Sequence, residues 1–158
     1  MTDKTNLIGL EQQAALNLAK QLNTLLSNYQ VFYMNTRGYH WNIKGPQFFE
    51  LHAKFEEIYT DLQTKIDELA ERILTLGFTP VHGFSDYLAY SVIKEHKNAL
   101  TGEECVAGLL NGFTTIVHQQ RELLKQASEA DDEGTASQMS DYIREQEKLV
   151  WMLNAYLQ

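Results

Sequence analysis

QFFELHAKFEEIYTDLQTKIDELAERILTL, residues 47–76, contains neither Pro nor Gly, and its apolar residues recur at Leu51, Phe55, Ile58, Leu62, Ile66, Leu69 and Ile73. Steps of three and four place them along one stripe of an α-helix. The stretch therefore predicts one long amphipathic helix, closed by Gly77, the residue type that most often follows a helix end. On that helix Asp67 and Glu71 lie one turn apart on a common face, and so do His52 and Glu56. With His40 upstream, five side chains able to ligate a metal fall within 32 residues.

Imidazoles and carboxylates with open coordination positions suit iron. One chain cannot bring both pairs to one ion, because a helix rising about 1.5 Å per residue separates His52 from Asp67 by roughly 22 Å. A metal–ligand bond spans only about 2 Å. Two copies packed antiparallel about a two-fold axis remove the difficulty, since residues facing each other across the axis have numbers of constant sum. His52 with Glu71 and Glu56 with Asp67 share that sum, which sets the axis between Asp61 and Leu62 and predicts two identical sites per dimer. Taken singly, the same acids also read as solvated helix charges beside Glu68 and Arg72. His52 reads as the edge of a buried seam, and His40 as a surface residue at a helix end.

Residues 35–72, NTRGYHWNIKGPQFFELHAKFEEIYTDLQTKIDELAER, resemble the signature of the Dps-type miniferritins, small iron-storage proteins of bacteria. The matching elements are His40-Trp41, Gly45, Phe48, Leu51-His52, Asp67 and Ala70-Glu71-Arg72. The resemblance implies an all-α, ferritin-like four-helix bundle with a short extra helix in the crossover between helices two and three. It also implies a homo-oligomer, a dodecamer built from two-fold dimers, with a ferroxidase centre at each two-fold interface. His40 and His52 would come from one subunit, Asp67 and Glu71 from its neighbour. Glu56, which stands where many members have Asp, is an additional candidate ligand. Ferrous iron would be oxidised there by hydrogen peroxide or dioxygen and stored as ferric mineral, which protects DNA from radical damage. Trp41, next to a ligand, would donate an electron or intercept a radical, as is suggested for relatives; packing is the alternative. Asp131, Asp132 and Glu133 would line a three-fold iron pore, although Ser137 replaces an acid common in relatives. They equally read as charges favoured by a helix N-terminus.

Ferritins with an iron site inside each bundle use Glu together with Glu-x-x-His pairs. No Glu in this sequence has a His three residues later, which leaves the interface site as the ferritin-like option.

At 158 residues the chain suits a single domain, 1–158. Two prolines, nine glycines, 44% hydrophobic residues and no alternating apolar runs point to helices throughout. Neither a signal-peptide pattern nor a run of about 20 apolar residues is present, so the expected location is the cytoplasm, with no membrane partner. A net charge of −8, with only Lys4 as a basic residue ahead of the first helix, predicts little or no direct DNA binding. Cys105, the single cysteine, reads as a small core residue, a redox nucleophile being the alternative. No glycine-rich phosphate loop or hydrolase nucleophile pattern occurs.

The first helix is expected over residues 10–39, with Ala15, Leu18, Leu22, Leu25, Leu26, Tyr29, Phe32 and Tyr33 buried. Residues 77–100 read as a long crossover containing a short helix opened by Ser85. Thr101 with Glu104 forms a capping box for the third long helix, and Thr135 with Gln138 repeats the pattern for the fourth. His82 and His96 read as solvated loop histidines, and His118 as a satisfied packing residue. Two readings compete with iron oxidation. One is a DNA-compacting structural protein with a vestigial metal site, and the other is a helical scaffold whose His and acidic residues only set dimer register.

Overall fold

Residues 4–158 are described here in a computed structural model, so the opening of the N-terminal segment, residues 1–3, lies outside the described residues. Helices follow one another as α1 (Gln12–Asn42), α2 (Phe48–Thr75), α3 (Phe84–Tyr90), α4 (Gly102–Glu129) and α5 (Glu133–Leu157), and no named strand forms among the described residues. No helix there is long and apolar enough to cross a membrane.

Helix α1 is capped by the Glu11 carboxylate, which accepts from the N–H groups of Gln13 at 3.0 Å and Ala14 at 2.7 Å. It runs three residues past the expected end at 39, because nothing interrupts it before the Gly45-Pro46 break, and so it carries His40 and Trp41 on its last turn. Helix α2 ends as its sequence predicts. Gly77, at φ 96°, donates to the Leu74 carbonyl at 2.9 Å and Phe78 donates to Ile73 at 3.1 Å, the paired bonds of a Schellman motif. Gly77→Ala forces a Cβ into the left-handed region and is expected to cost about 1–2 kcal/mol, read by urea unfolding at fixed protein concentration.

Helix α4 opens on the capping box of Thr101 and Glu104. Helix α5 departs from the sequence reading. Its cap is Asp132, whose carboxylate accepts the Thr135 N–H at 3.0 Å, so the helix starts at Glu133 and Thr135 already lies inside it. Helix α3 likewise begins at Phe84, one residue ahead of Ser85.

The long helices form two hairpins, α1 on α2 and α4 on α5, joined where α1 packs against α4. Leu22, Leu25, Phe32, Phe55, Leu62, Leu69, Leu109, Phe113, Ile116 and Met139 are among the residues that fill the core. The irregular part of the crossover is held along α1 by two buried asparagines. Asn28 Oδ1 accepts from Ser91 Oγ at 3.0 Å and from the Val92 N–H at 2.8 Å, while Asn35 donates to the Lys94 carbonyl and accepts the His96 N–H, both at 2.9 Å. These bonds satisfy backbone groups that no helix or strand serves. They also bring His96 to the Tyr39 hydroxyl at 2.5 Å, a partner the sequence did not announce. His82 is exposed, as read, but His118 is exposed too and packs into no core, since it falls one position past the α4 stripe.

Two polar groups sit where sequence suggested only apolar packing. Lys65, 4% exposed, replaces Ile66 at the buried edge of α2 and pairs with Asp61 at 2.7 Å and Glu145 at 2.8 Å. Burial opposes its charge, but the two carboxylates outweigh that and raise its pKa. At the bundle centre Tyr29, Gln120 and Gln146 close a hydrogen-bonded triangle from α1, α4 and α5, each residue 0% exposed. Cys105 is buried, and burial pushes its thiol up to about 11, which removes the thiolate needed for redox chemistry at neutral pH.

Candidate metal centre

The last four carbonyls of a helix lack intrahelical donors. In α1 the His40 carbonyl is one of them, because the Lys44 N–H that would serve it in a longer helix donates to Leu100 at 2.9 Å instead. His52 Nδ1–H of α2 takes that carbonyl at 2.7 Å, and His40 Nδ1–H reciprocally donates to the His52 carbonyl at 2.6 Å. A carbonyl only accepts, so each Nδ1 carries a proton, and in the neutral tautomer so fixed each Nε2 presents a lone pair. Metal-ligating histidines are oriented in this way, with the second ring nitrogen bound to a carbonyl or carboxylate.

The two imidazoles stack with centroids 3.7 Å apart and planes 13° from parallel. Phe48 lies against the other face of His52 at 5.0 Å, and Tyr59 meets His40 edge-on at 5.2 Å. His40 is buried and His52 half-buried. The negative end of the α1 dipole adds a field that favours a cation here.

Helix α2 presents three faces. The apolar one packs into the core. A second carries Lys65 and also Glu68, which accepts the Tyr142 hydroxyl at 2.5 Å, and Arg72, which donates to Asp132 at 2.6 Å and Thr135 at 2.9 Å. The third is exposed and holds Glu56, Thr60, Gln63, Asp67 and Glu71, all within a helical quarter-turn or so of His52. Within one chain His40 and His52 come together, whereas Glu56, Asp67 and Glu71 remain apart from them. Among the described residues no three or more His, Cys, Asp or Glu side chains converge on a metal position. On the exposed face Thr60 and Gln63, both exposed and uncharged, share the sum of His52 with Glu71 and flank its midpoint.

The acidic turn before α5 is divided. Asp131 and Glu133 are exposed, but Asp132 is 2% exposed, caps α5 and pairs with Arg72, so its carboxylate turns inward instead of lining a pore. Trp41 is 58% exposed, which excludes core packing within the chain. Sequence reasoning missed a cluster beside it. The Arg37 guanidinium lies 4.9 Å from the Tyr59 ring centre, 5.2 Å from Trp41 and 5.9 Å from Tyr33, and Arg37 Nη1 donates to the Tyr33 hydroxyl at 2.6 Å. The spacing Tyr33, Arg37, Trp41, each one helical turn from the next, was the available signal.

The family model described as ferritin-like domain matches residues 19–158. The chain is 43% identical over 148 residues to a DNA protection during starvation protein from Porphyromonas gingivalis, covering 94% of this chain and 93% of that one. It is similar to the crystal structure of a Dps protein from Vibrio cholerae O1, described as a member of a broad superfamily of ferritin-like diiron-carboxylate proteins. The identity is 64%, the TM-score 0.97, and 100% of this chain and 99% of that chain are covered. A Dps crystal structure from Bacillus brevis matches at 38% identity and TM-score 0.89, over 92% of this chain and 98% of that one. The chain belongs to the ferritin-like family, as a miniferritin of the Dps type.

Proposed function

We propose that the protein oxidises ferrous iron at sites shared between two-fold-related copies and stores the product as ferric mineral inside a dodecameric shell. The observation that carries this reading is the interlocked pair of His40 and His52, which leaves two Nε2 lone pairs free at one end of a helix face whose other end carries Asp67 and Glu71. In the antiparallel register the partner's Asp67 and Glu71 meet that pair.

Ferrous iron is the substrate. His40 and His52 supply neutral nitrogen, and the partner's Asp67 and Glu71 supply two negative charges, with Glu56 as a further oxygen ligand. Carboxylates stabilise the ferric ion more than the ferrous one, so the same ligands that bind the substrate favour its loss of an electron. Two ferrous ions give two electrons to one hydrogen peroxide, whose O–O bond breaks and takes up two protons to leave two waters. Dioxygen is the alternative oxidant. Removing ferrous iron and peroxide together suppresses hydroxyl radical, so DNA in the cytoplasm is protected without being bound, consistent with the net charge of −8. Asp131 and Glu133 are the remaining candidates for a pore that admits iron.

The test is anaerobic loading with ferrous iron followed by a stoichiometric pulse of peroxide. Ferric absorbance is expected to rise faster than in a protein-free control, with the iron eluting with the protein. Oxidation at the control rate with ferric hydroxide precipitating would overturn the reading.

A further inference from the structure

Tyr39 is an oxidisable side chain outside the set of metal ligands, and the fold builds a defined environment around it. It is 2% exposed, and its ring meets Phe55 of α2 at 6.2 Å and His96 of the crossover at 5.4 Å, both edge-on. Among the described residues its hydroxyl has one polar partner, His96 Nδ1 at 2.5 Å. A phenol meeting a neutral imidazole donates, which leaves the imidazole proton on Nε2. Asn35 holds the His96 backbone in place, and α4 carries Gly108 where a Cβ would collide with both the Tyr39 hydroxyl and His96 Nδ1. His96 is exposed on its other side and lines a cavity of about 520 Å³, with Glu95 and Glu104 on the same walls.

A phenol that loses an electron becomes strongly acidic, so it is oxidised readily only where a positioned base takes the proton in the same step. Imidazole is such a base near neutral pH, and carboxylates nearby favour the imidazolium. Tyr142 also donates to a base, Glu68, but it stands on α5. Tyr39 directly precedes the proposed ligand His40, with about 3.8 Å between their Cα atoms. Trp41 lies on the other side of His40, yet it is exposed and 5.2 Å from the Arg37 guanidinium, whose charge opposes formation of a radical cation.

We propose that Tyr39 supplies the second electron for peroxide reduction when ferrous iron is scarce, with His96 accepting its phenolic proton. The step rests on the shared-site reading above. One ferrous ion gives one electron, Tyr39 gives the other, and the O–O bond of hydrogen peroxide breaks to leave two hydroxide ions. Ferric iron, a neutral tyrosyl radical and the His96 imidazolium are the other products. The next ferrous ion reduces the radical, and the imidazolium proton returns to the phenolic oxygen, so two ferrous ions have again reduced one peroxide. Without Tyr39, one ferrous ion and one peroxide yield hydroxide and a hydroxyl radical.

The experiment loads the assembled protein anaerobically with less ferrous iron than it has subunits, adds peroxide, and freezes the mixture for electron paramagnetic resonance. Wild type is expected to give a tyrosyl signal that narrows when the protein is grown with ring-deuterated tyrosine. Tyr39→Phe is expected to lower that signal at least about tenfold and to raise spin-trapped hydroxyl radical. His96→Gln keeps the phenol but removes the base, and is expected to lower the signal at least about tenfold as well. Assembly size is checked for each variant, and if Tyr39→Phe does not assemble, His96→Gln, a change at an exposed loop residue, decides. Three results would overturn the inference while leaving shared sites intact: no tyrosyl signal in wild type although iron is oxidised faster than in a protein-free control, an undiminished signal in Tyr39→Phe, or an undiminished signal in His96→Gln. Oxidation by wild type no faster than the control would instead remove the shared-site reading on which the inference stands.

Discussion

Co-expressing two inactive variants is expected to restore iron oxidation to about a quarter of the wild-type rate, since a two-fold interface builds each site from both chains. One variant is His40→Ala with His52→Ala, the other Asp67→Ala with Glu71→Ala. Alone, each should oxidise ferrous iron at least about 100-fold more slowly than wild type, because losing even an outer partner of a metal ligand costs 10–100-fold. In a mixed dimer the intact histidines of one chain meet the intact acids of the other, and the second site lacks all four ligands. Half of randomly paired dimers are mixed and half of their sites are whole. Circular dichroism and assembly size must match wild type, since the histidine variant also breaks the interlock between α1 and α2. Mixed assemblies as slow as either parent would mean that the histidines and acids do not serve one ion.

The long second helix, its glycine stop and the crossover were legible in the sequence because each follows from local rules: a period of 3.6, a residue that tolerates positive φ, and a connection too long for a hairpin. The start of α5 was misread for an equally local reason. Thr135 and Gln138 have capping-box spacing, but Asp132 is the stronger acceptor and sits three residues earlier, where Arg72 from α2 fixes it. A cap that depends on a contact 60 residues away cannot be read from its own neighbourhood.

The candidate site divides along the same line. The helical spacing of His52, Glu56, Asp67 and Glu71 was visible, because it belongs to one element. The approach of His40 to His52 came only through the family resemblance, since it depends on where α1 ends and which carbonyl is thereby left for a donor on α2. Arg37 and Tyr59 escaped notice because each looks ordinary until the hairpin closes and stacks one above the other. The proposed meeting of the two halves needs a second chain, and the residues at the midpoint of the face, Thr60 and Gln63, are exposed and uncharged.

The second large effect is expected at the bundle centre, where Tyr29→Phe should destabilise the protein by about 2–4 kcal/mol, the penalty of leaving buried donors and acceptors unsatisfied. The Tyr29 hydroxyl donates to Gln120 Oε1 at 2.6 Å and accepts from Gln146 Nε2 at 2.7 Å, and Gln120 Nε2 donates to Gln146 Oε1 at 2.7 Å. Removing the hydroxyl breaks two of the three hydrogen bonds and leaves a glutamine acceptor and a glutamine donor unpaired where all three residues are 0% exposed. Replacing all three residues, as Tyr29→Phe, Gln120→Leu and Gln146→Leu together, removes every polar corner at once and should return stability to within about 1 kcal/mol of wild type. Urea unfolding of both variants at equal protein concentration decides the matter; a triple variant weaker than the single one would show that packing shape, not hydrogen bonding, sets the cost. The same triangle bears on function. Facing helices at a bundle centre are where other ferritin-like proteins place an internal iron site from inward Glu and His. Here that position is filled by neutral groups whose oxygens each accept a hydrogen bond from within the triangle, so it offers a cation no carboxylate charge. The proposed iron chemistry is therefore assigned to His40 at the end of α1 and to His52 and the acids on the outer face of α2.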